Sequence, residues 1–153
     1  MAKIVLLTKI HAPIEQVFDL CRDIDFHQIS TGATQEKAIA GRTSGLIEEN
    51  ESVTWQARHF GIVQRLTVVI SKMRRPVYFR DVMTQGAFSK MAHTHHFFHD
   101  DGATMMVDQF EFESPFGFLG RWVSSIVLTP YLTRFLESRN HILKQKLEGR
   151  LSV

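Results

Sequence analysis

Two long segments of alternating character, residues 88–99 and Ala103–Glu113, flank Asp100-Asp101-Gly102. Asp-Gly between alternating runs signals a tight hairpin, because that turn needs positive φ at its central residues. The chain is thereby committed to an antiparallel sheet with one buried face. In the second segment Met106, Asp108, Phe110 and Phe112 share a face, whereas Gln109, Glu111 and Glu113 point to water. The same alternation runs upstream. Within residues 52–60, Val53, Trp55, Ala57 and His59 fall together; residues 64–71 return with Leu66, Val68 and Ile70 on one side. Residues 72–76 read as a basic turn, and residues 77–84 put Phe79, Asp81 and Met83 on one face.

Both ends of the chain add different elements. Residues 3–10 suit an opening strand, and Ala12-Pro13-Ile14-Glu15 switches the chain to helix, with proline presetting φ and glutamate suiting the dipole. A second short helix is expected over residues 23–29, a strand over 35–40 and a loop over 41–45. Ser114-Pro115-Phe116-Gly117 ends the sheet. Residues 119–147 are helical in pattern, with Trp122, Ile126, Phe135, Ile142 and Leu147 among the buried candidates, and Pro130 is expected to kink or split that helix. The fold class is α+β: one strand, two short helices, a run of strands and a long C-terminal helix.

At 153 residues and 44% hydrophobic content, the chain is sized for one domain over residues 1–153 with a real core. A net charge of +2 from 18 basic and 16 acidic residues is far from the footprint of a dedicated nucleic-acid binder. No apolar run approaches the roughly 18 residues a membrane helix needs, so no integral membrane segment is expected. The single cysteine, Cys21, fits a reducing compartment, the cytoplasm.

Residues 10–20, Ile10-His11-Ala12-Pro13-Ile14-Glu15-Gln16-Val17-Phe18-Asp19-Leu20, resemble the opening of the START-like, or SRPBCC, superfamily, which includes the birch-pollen allergen, lipid-transfer domains and polyketide cyclases/dehydratases. The likeness continues, toward a bacterial branch, through Val53-Thr54-Trp55-Gln56-Ala57-Arg58-His59-Phe60-Gly61, Pro76 to Phe79 and Asp81, Gly86-Ala87-Phe88, His93-Thr94-His95, and Asp108 to Pro115, Gly117 and Gly120. It implies a helix-grip fold: a curved seven-stranded antiparallel sheet wrapped around a long C-terminal helix, with two short helices after the first strand and a cavity between sheet and helix. The loop at Gly41–Gly45 lacks the denser glycine loop of the plant allergen-like members, so phosphate cradling is not carried over.

On that fold, the concave face holds Trp55, Leu66, Val68, Phe79, Met83, Met91, Phe97, Met106, Phe110 and Phe112, with His59, Asp81, His93, His95 and Asp108 among them. The Asp101-Gly102 turn places His95 opposite Asp108 and His93 opposite Phe110; a slip of one residue would separate the pair. An imidazole beside a carboxylate in an apolar wall has a fixed tautomer and raised basicity. Such groups could satisfy one another structurally, orient a ligand's polar end, or transfer a proton. His93-Thr94-His95-His96-Phe97-Phe98-His99 invites a metal reading, but no suitably spaced further ligand follows, so no metal and no cofactor is expected. Cys21 reads as a small buried hydrophobe with no histidine beside it, and Arg139, Lys144, Lys146 and Arg150 as cations favouring the helix's C-terminal dipole end.

Three functions compete. The first is a monomeric or homodimeric carrier of a small hydrophobic molecule, bound by Trp55, His59, Phe79, Asp81, Met83, Met91, His93, Phe97, Met106 and Phe110. The second is a cyclase/dehydratase-like enzyme with His95 as general base, Asp108 orienting it, and His93 or His59 as a second acid or base. The third is a protein-interaction domain with a filled core and an exposed apolar patch.

Overall fold

The computed structural model describes residues 1–150. The chain runs β1 (Ala2–Ile10), α1 (Ile14–Cys21), α2 (Ile24–Ser30), a single 3-10 turn (Gly32–Thr34), β2 (Lys37–Gly41), β3 (Ser52–His59), β4 (Ile62–Arg74), β5 (Tyr78–Gln85), β6 (Lys90–Asp100), β7 (Ala103–Glu113) and a long terminal helix. All strand pairs are antiparallel, in the order β1-β7-β6-β5-β4-β3-β2. The helix-grip architecture implied by the resemblance is therefore the fold of this chain.

Local chemistry sets the element ends. Pro13 caps α1, whose Ile14, Val17 and Phe18 are buried, and the Asp23 carboxylate accepts the Phe26 amide at 3.1 Å to start α2. The hairpin forms as its turn residues require, with Asp101 at φ 47° and Gly102 at φ 81°. His95 consequently pairs with Asp108, and His93 with Phe110.

β4 is longer than its sequence suggests. Lys72 and Arg74, expected in a basic turn, continue the strand, and the turn proper is Arg75–Val77. Register shifts against β5 between Thr67 and Val68 and between Ile70 and Lys72 bend this strand, which helps the sheet to curve.

The terminal helix runs from Gly117 to Leu147 as α3 (Gly117–Val123), one π-helical turn (Ser124–Leu128) and α4 (Thr129–Leu147). Pro130 does not split it. The wide π turn lies just ahead of the proline, and both the amide and the hydroxyl of Thr129 reach back to the Ser124 carbonyl, the hydroxyl at 2.7 Å. The buried face of α4, including Leu136, Arg139, Asn140 and Leu143, packs over β1 and the two short helices. Trp122 and Ile126, expected in the core, are instead more than half exposed: Leu119, Gly120, Val123 and Leu128 take the side of this helix that borders a hollow, and Trp122 and Ile126 lie away from it. Among the described residues, no helix is long and apolar enough to cross a membrane.

Candidate functional site

Between the sheet and the terminal helix lies a cavity of about 370 Å³ with mostly apolar walls, among them Trp55, Ala57, Phe88, Phe110, Leu132 and Phe135. A smaller chamber of about 110 Å³ lies next to it, and Glu36, Trp55, Leu66, Phe110, Phe135 and Leu136 border both. The smaller chamber is the polar one: Cys21, His27, Asp81, His93, His95 and Arg139 contribute to its wall.

Asp108 organises that polar end from behind. It is fully buried, and its Oδ1 lies 2.8 Å from His95 Nδ1, 3.0 Å from His93 Nε2 and 3.1 Å from Arg139 Nη2. Asn140 Nδ2 donates to Oδ2 at 2.6 Å, and the Arg139 guanidinium donates in turn to Asn140 Oδ1. The other face of His95 meets Asp81, with Nε2 3.5 Å from Oδ2. β6 supplies both histidines on one face, β5 supplies Asp81, β7 Asp108, and α4 the Arg139-Asn140 pair. Phe79 stacks on His95 with ring centroids 4.2 Å apart, and Phe110 closes edge-on against His93.

The charges of this cluster sort themselves. Burial disfavours an ionised Asp108, but Arg139 and both histidines outweigh it and hold its carboxyl well below the usual carboxylate range. Burial also opposes a charged His95, yet Cys21, Asp108 and Asp81 raise it well above its ordinary value. For His93, burial and the charge on His95 win, lowering it to about 4. Asp81 is lowered: the His95 hydrogen bond and the charges of His93, His95 and Arg139 overcome the opposing effect of burial. These shifts favour the anions of Asp81 and Asp108, the cations of His95 and Arg139 and the neutral form of His93. That balance is what makes so many ionisable groups tolerable in a core. The raised value of His95 favours it as a hydrogen-bond donor toward the smaller chamber.

A second polar station sits toward the larger chamber. His59 Nδ1 and the Tyr131 hydroxyl are 2.7 Å apart, and burial keeps His59 below its ordinary value against the opposing pull of Glu36. His27 Nε2 lies 3.0 Å from Glu36 Oε1, and its ring stacks on Trp55 at 4.2 Å.

Of the residues singled out in the sequence, Trp55, His59 and Phe110 line the larger chamber, and Trp55, Phe79, Asp81, Met91, His93, His95 and Phe110 the smaller. Met83, Phe97 and Met106 line neither. Phe97 packs in the core against Phe18 and Phe79, because α1 covers that end of the sheet, and Met106 is wholly buried. Asp108 faces the histidines and the helix, not the chambers. Two sequence readings are overturned. Cys21 does have a histidine beside it, its sulfur 3.6 Å from His95 Nδ1, and Arg139 is a buried partner of Asp108 instead of a dipole-end surface cation. Tyr131, Glu36 and Asn140 carried no sequence signal, since only tertiary docking brings them to the site. Ligand atoms of Asp81, His93 and His95 lie within 4.8 Å of one another, close enough to share a cation, although Arg139 adds positive charge to the same cluster.

No protein-family model and no curated protein matches the chain by sequence. Solved structures do match its fold. A protein of Thermus thermophilus superposes with a TM-score of 0.79 at 17% identity, covering 99% of this chain and 100% of that one. A START superfamily protein from Mycobacterium smegmatis gives 0.73 at 12% identity, covering 97% and 99%. The major latex-like protein 151 of Panax ginseng gives 0.71 at 14% identity, covering 95% and 97%. The likeness is one of fold, and residue roles rest on the geometry above.

Proposed function

We propose that this protein binds and carries a small hydrophobic molecule, its apolar body in the larger chamber and an oxygen-bearing polar end directed to the smaller. One observation carries this reading: a largely apolar cavity adjoins a polar chamber whose walls carry His95 and Arg139 as donors. Apolar burial would supply most of the affinity, at about 25 cal/mol per Å² before the costs of association. The donors would select a carbonyl, carboxylate or hydroxyl end, since an apolar end would leave them unanswered. The START and latex-like neighbours support the reading at the level of a shared architecture.

Native mass spectrometry of the protein purified from its source tests the proposal. A co-purifying apolar molecule is expected, as is fluorescence enhancement of anilinonaphthalene sulfonate that is lost when Ala57→Phe fills the chamber. Equal enhancement in both proteins would overturn the assignment. The proton-donating state of His95 favours one further reading, dehydration or cyclisation of a poly-β-ketone chain with His95 as acid. His95→Gln separates the two: it should abolish turnover in an enzyme but weaken ligand uptake only modestly in a carrier. The cavity weighs against an interaction domain with a filled core.

A further inference from the structure

We propose that the rim of the larger chamber is a docking surface for an anionic lipid bilayer. Apolar side chains on soluble proteins are normally scattered, and a gathered patch marks an interaction site. Here Phe116 is 74% exposed, Phe118 80%, Leu119 65% and Trp122 57%, and Ile126 continues the strip along the helix. Phe118, Trp122 and Ile126 recur at four-residue intervals, so they follow one side of the helix into its π turn. The β3–β4 turn adds Phe60, Ile62 and Val63, all more than half exposed. Phe60, Phe116 and Leu119 also line the chamber, which ties turn and helix to one opening. Phe60 is held there, in left-handed backbone, with its ring centroid 4.5 Å from that of Tyr131.

Charge decides the occupant. Residues 52–80 and 114–136 contain no aspartate or glutamate, although the molecule as a whole is nearly balanced. The cations nearest the patch in sequence are Arg58, Arg65 and Arg121; Arg65 borders the chamber itself, and Arg58 and Arg121 are exposed. A second copy of this chain would set arginine against arginine with no carboxylate from either segment to answer. A bilayer with acidic headgroups answers both features, accepting aromatic side chains at its interface and pairing phosphates with guanidinium groups. The inference is independent of what the chamber carries.

Co-sedimentation with phosphatidylcholine vesicles, with and without phosphatidylglycerol, tests it, together with tryptophan emission. Trp122 is exposed and Trp55 buried, so a blue shift on adding vesicles reports the patch. Binding and shift are expected with phosphatidylglycerol vesicles at low ionic strength, both diminishing as salt is raised. Phe116→Ser with Phe118→Ser should lower partitioning by roughly tenfold or more. Arg65→Glu with Arg121→Glu should weaken binding only where the acidic lipid is present. All four positions lie at the surface or the cavity rim, and an unchanged thermal midpoint would show that the variants fold. Ala57→Phe, with its chamber filled, should bind vesicles like the parent, separating this inference from carriage. The proposal is overturned if neither vesicle binds at low salt. It is equally overturned if the Trp122 shift appears without lipid and follows protein concentration, which would assign the patch to a second copy.

Discussion

Asp108 shows how a single carboxylate can hold a site together. It receives contacts from His93, His95, Arg139 and Asn140 while fully buried, so removing its strongest cation should expose the underlying desolvation cost. Arg139→Met is expected to destabilise the fold by about 3–5 kcal/mol, the range found when one partner of a buried pair is lost. Arg139→Met combined with Asp108→Asn should recover much of that loss, as read from urea midpoints. His93 makes a separate prediction. Its value falls from 6.5 in the unfolded chain to about 4 in the fold, so the unfolded state binds the proton first as pH drops. Its contribution is fully present above pH 6.5 and is lost between there and about pH 4. At about 1.4 kcal/mol per unit, that loss amounts to a few kcal/mol. His95, shifted the other way, contributes fully below its unfolded value and loses its effect on the alkaline side, so the two windows do not overlap. His59 and His96 are also depressed and add to the acid slope, which makes the difference between proteins the useful quantity. His93→Gln keeps a donor for Asp108 but cannot titrate, and thermal midpoints measured from about pH 7 to 4 should fall less steeply than in the parent. Parallel slopes would refute the assignment.

At the scale of elements, the β6–β7 hairpin fixes the register of the site, and it does so through its turn. Gly102 has φ 81°, and a Cβ built there meets no atom within 4 Å, so Gly102→Ala tests backbone conformation alone. A cost of about 1 kcal/mol in urea unfolding is expected, and a neutral result would contradict the turn geometry. That turn also explains why the pairing of His95 with Asp108 is legible in the sequence: two-residue alternation plus a turn that tolerates no slip leaves one register. The terminal helix is legible as an element but not in its rotation. Periodicity puts Trp122 and Ile126 inside and Arg139 outside, whereas the structure does the reverse. The π turn at Ser124–Leu128 inserts an extra residue into the repeat, so residues before and after it do not share one phase. In the first half, Leu119, Val123 and Leu128 take the side that borders the hollow, which leaves Trp122 and Ile126 on the outer side. Cys21 stays hidden for a related reason, since the approach of α1 to β6 is set by tertiary packing and leaves no mark in spacing.

For the molecule as a whole, the decisive question is whether ligand enters the hollow or settles on its apolar rim, since both would raise fluorescence and both would stabilise the fold. Ala57 separates the two. It projects from β3 into the larger chamber and is 7% exposed, far from the outward side chains of Phe118 and Trp122. A ligand bound only by the folded state at a hundred times its dissociation constant stabilises by about 2.7 kcal/mol. For a chain of this size, each kcal/mol moves the thermal midpoint by roughly 2–4 °C, so a rise of about 5–10 °C is expected in the parent protein. In Ala57→Phe the added ring takes the ligand's place, and the rise should vanish while the ligand-free midpoint holds or increases, because filling a cavity restores packing contacts. Phe118→Ser should behave oppositely, keeping the full ligand-induced rise. If instead Ala57→Phe retains the rise and Phe118→Ser loses it, the ligand sits on the rim, and the sheet and helix enclose a space that serves no cargo.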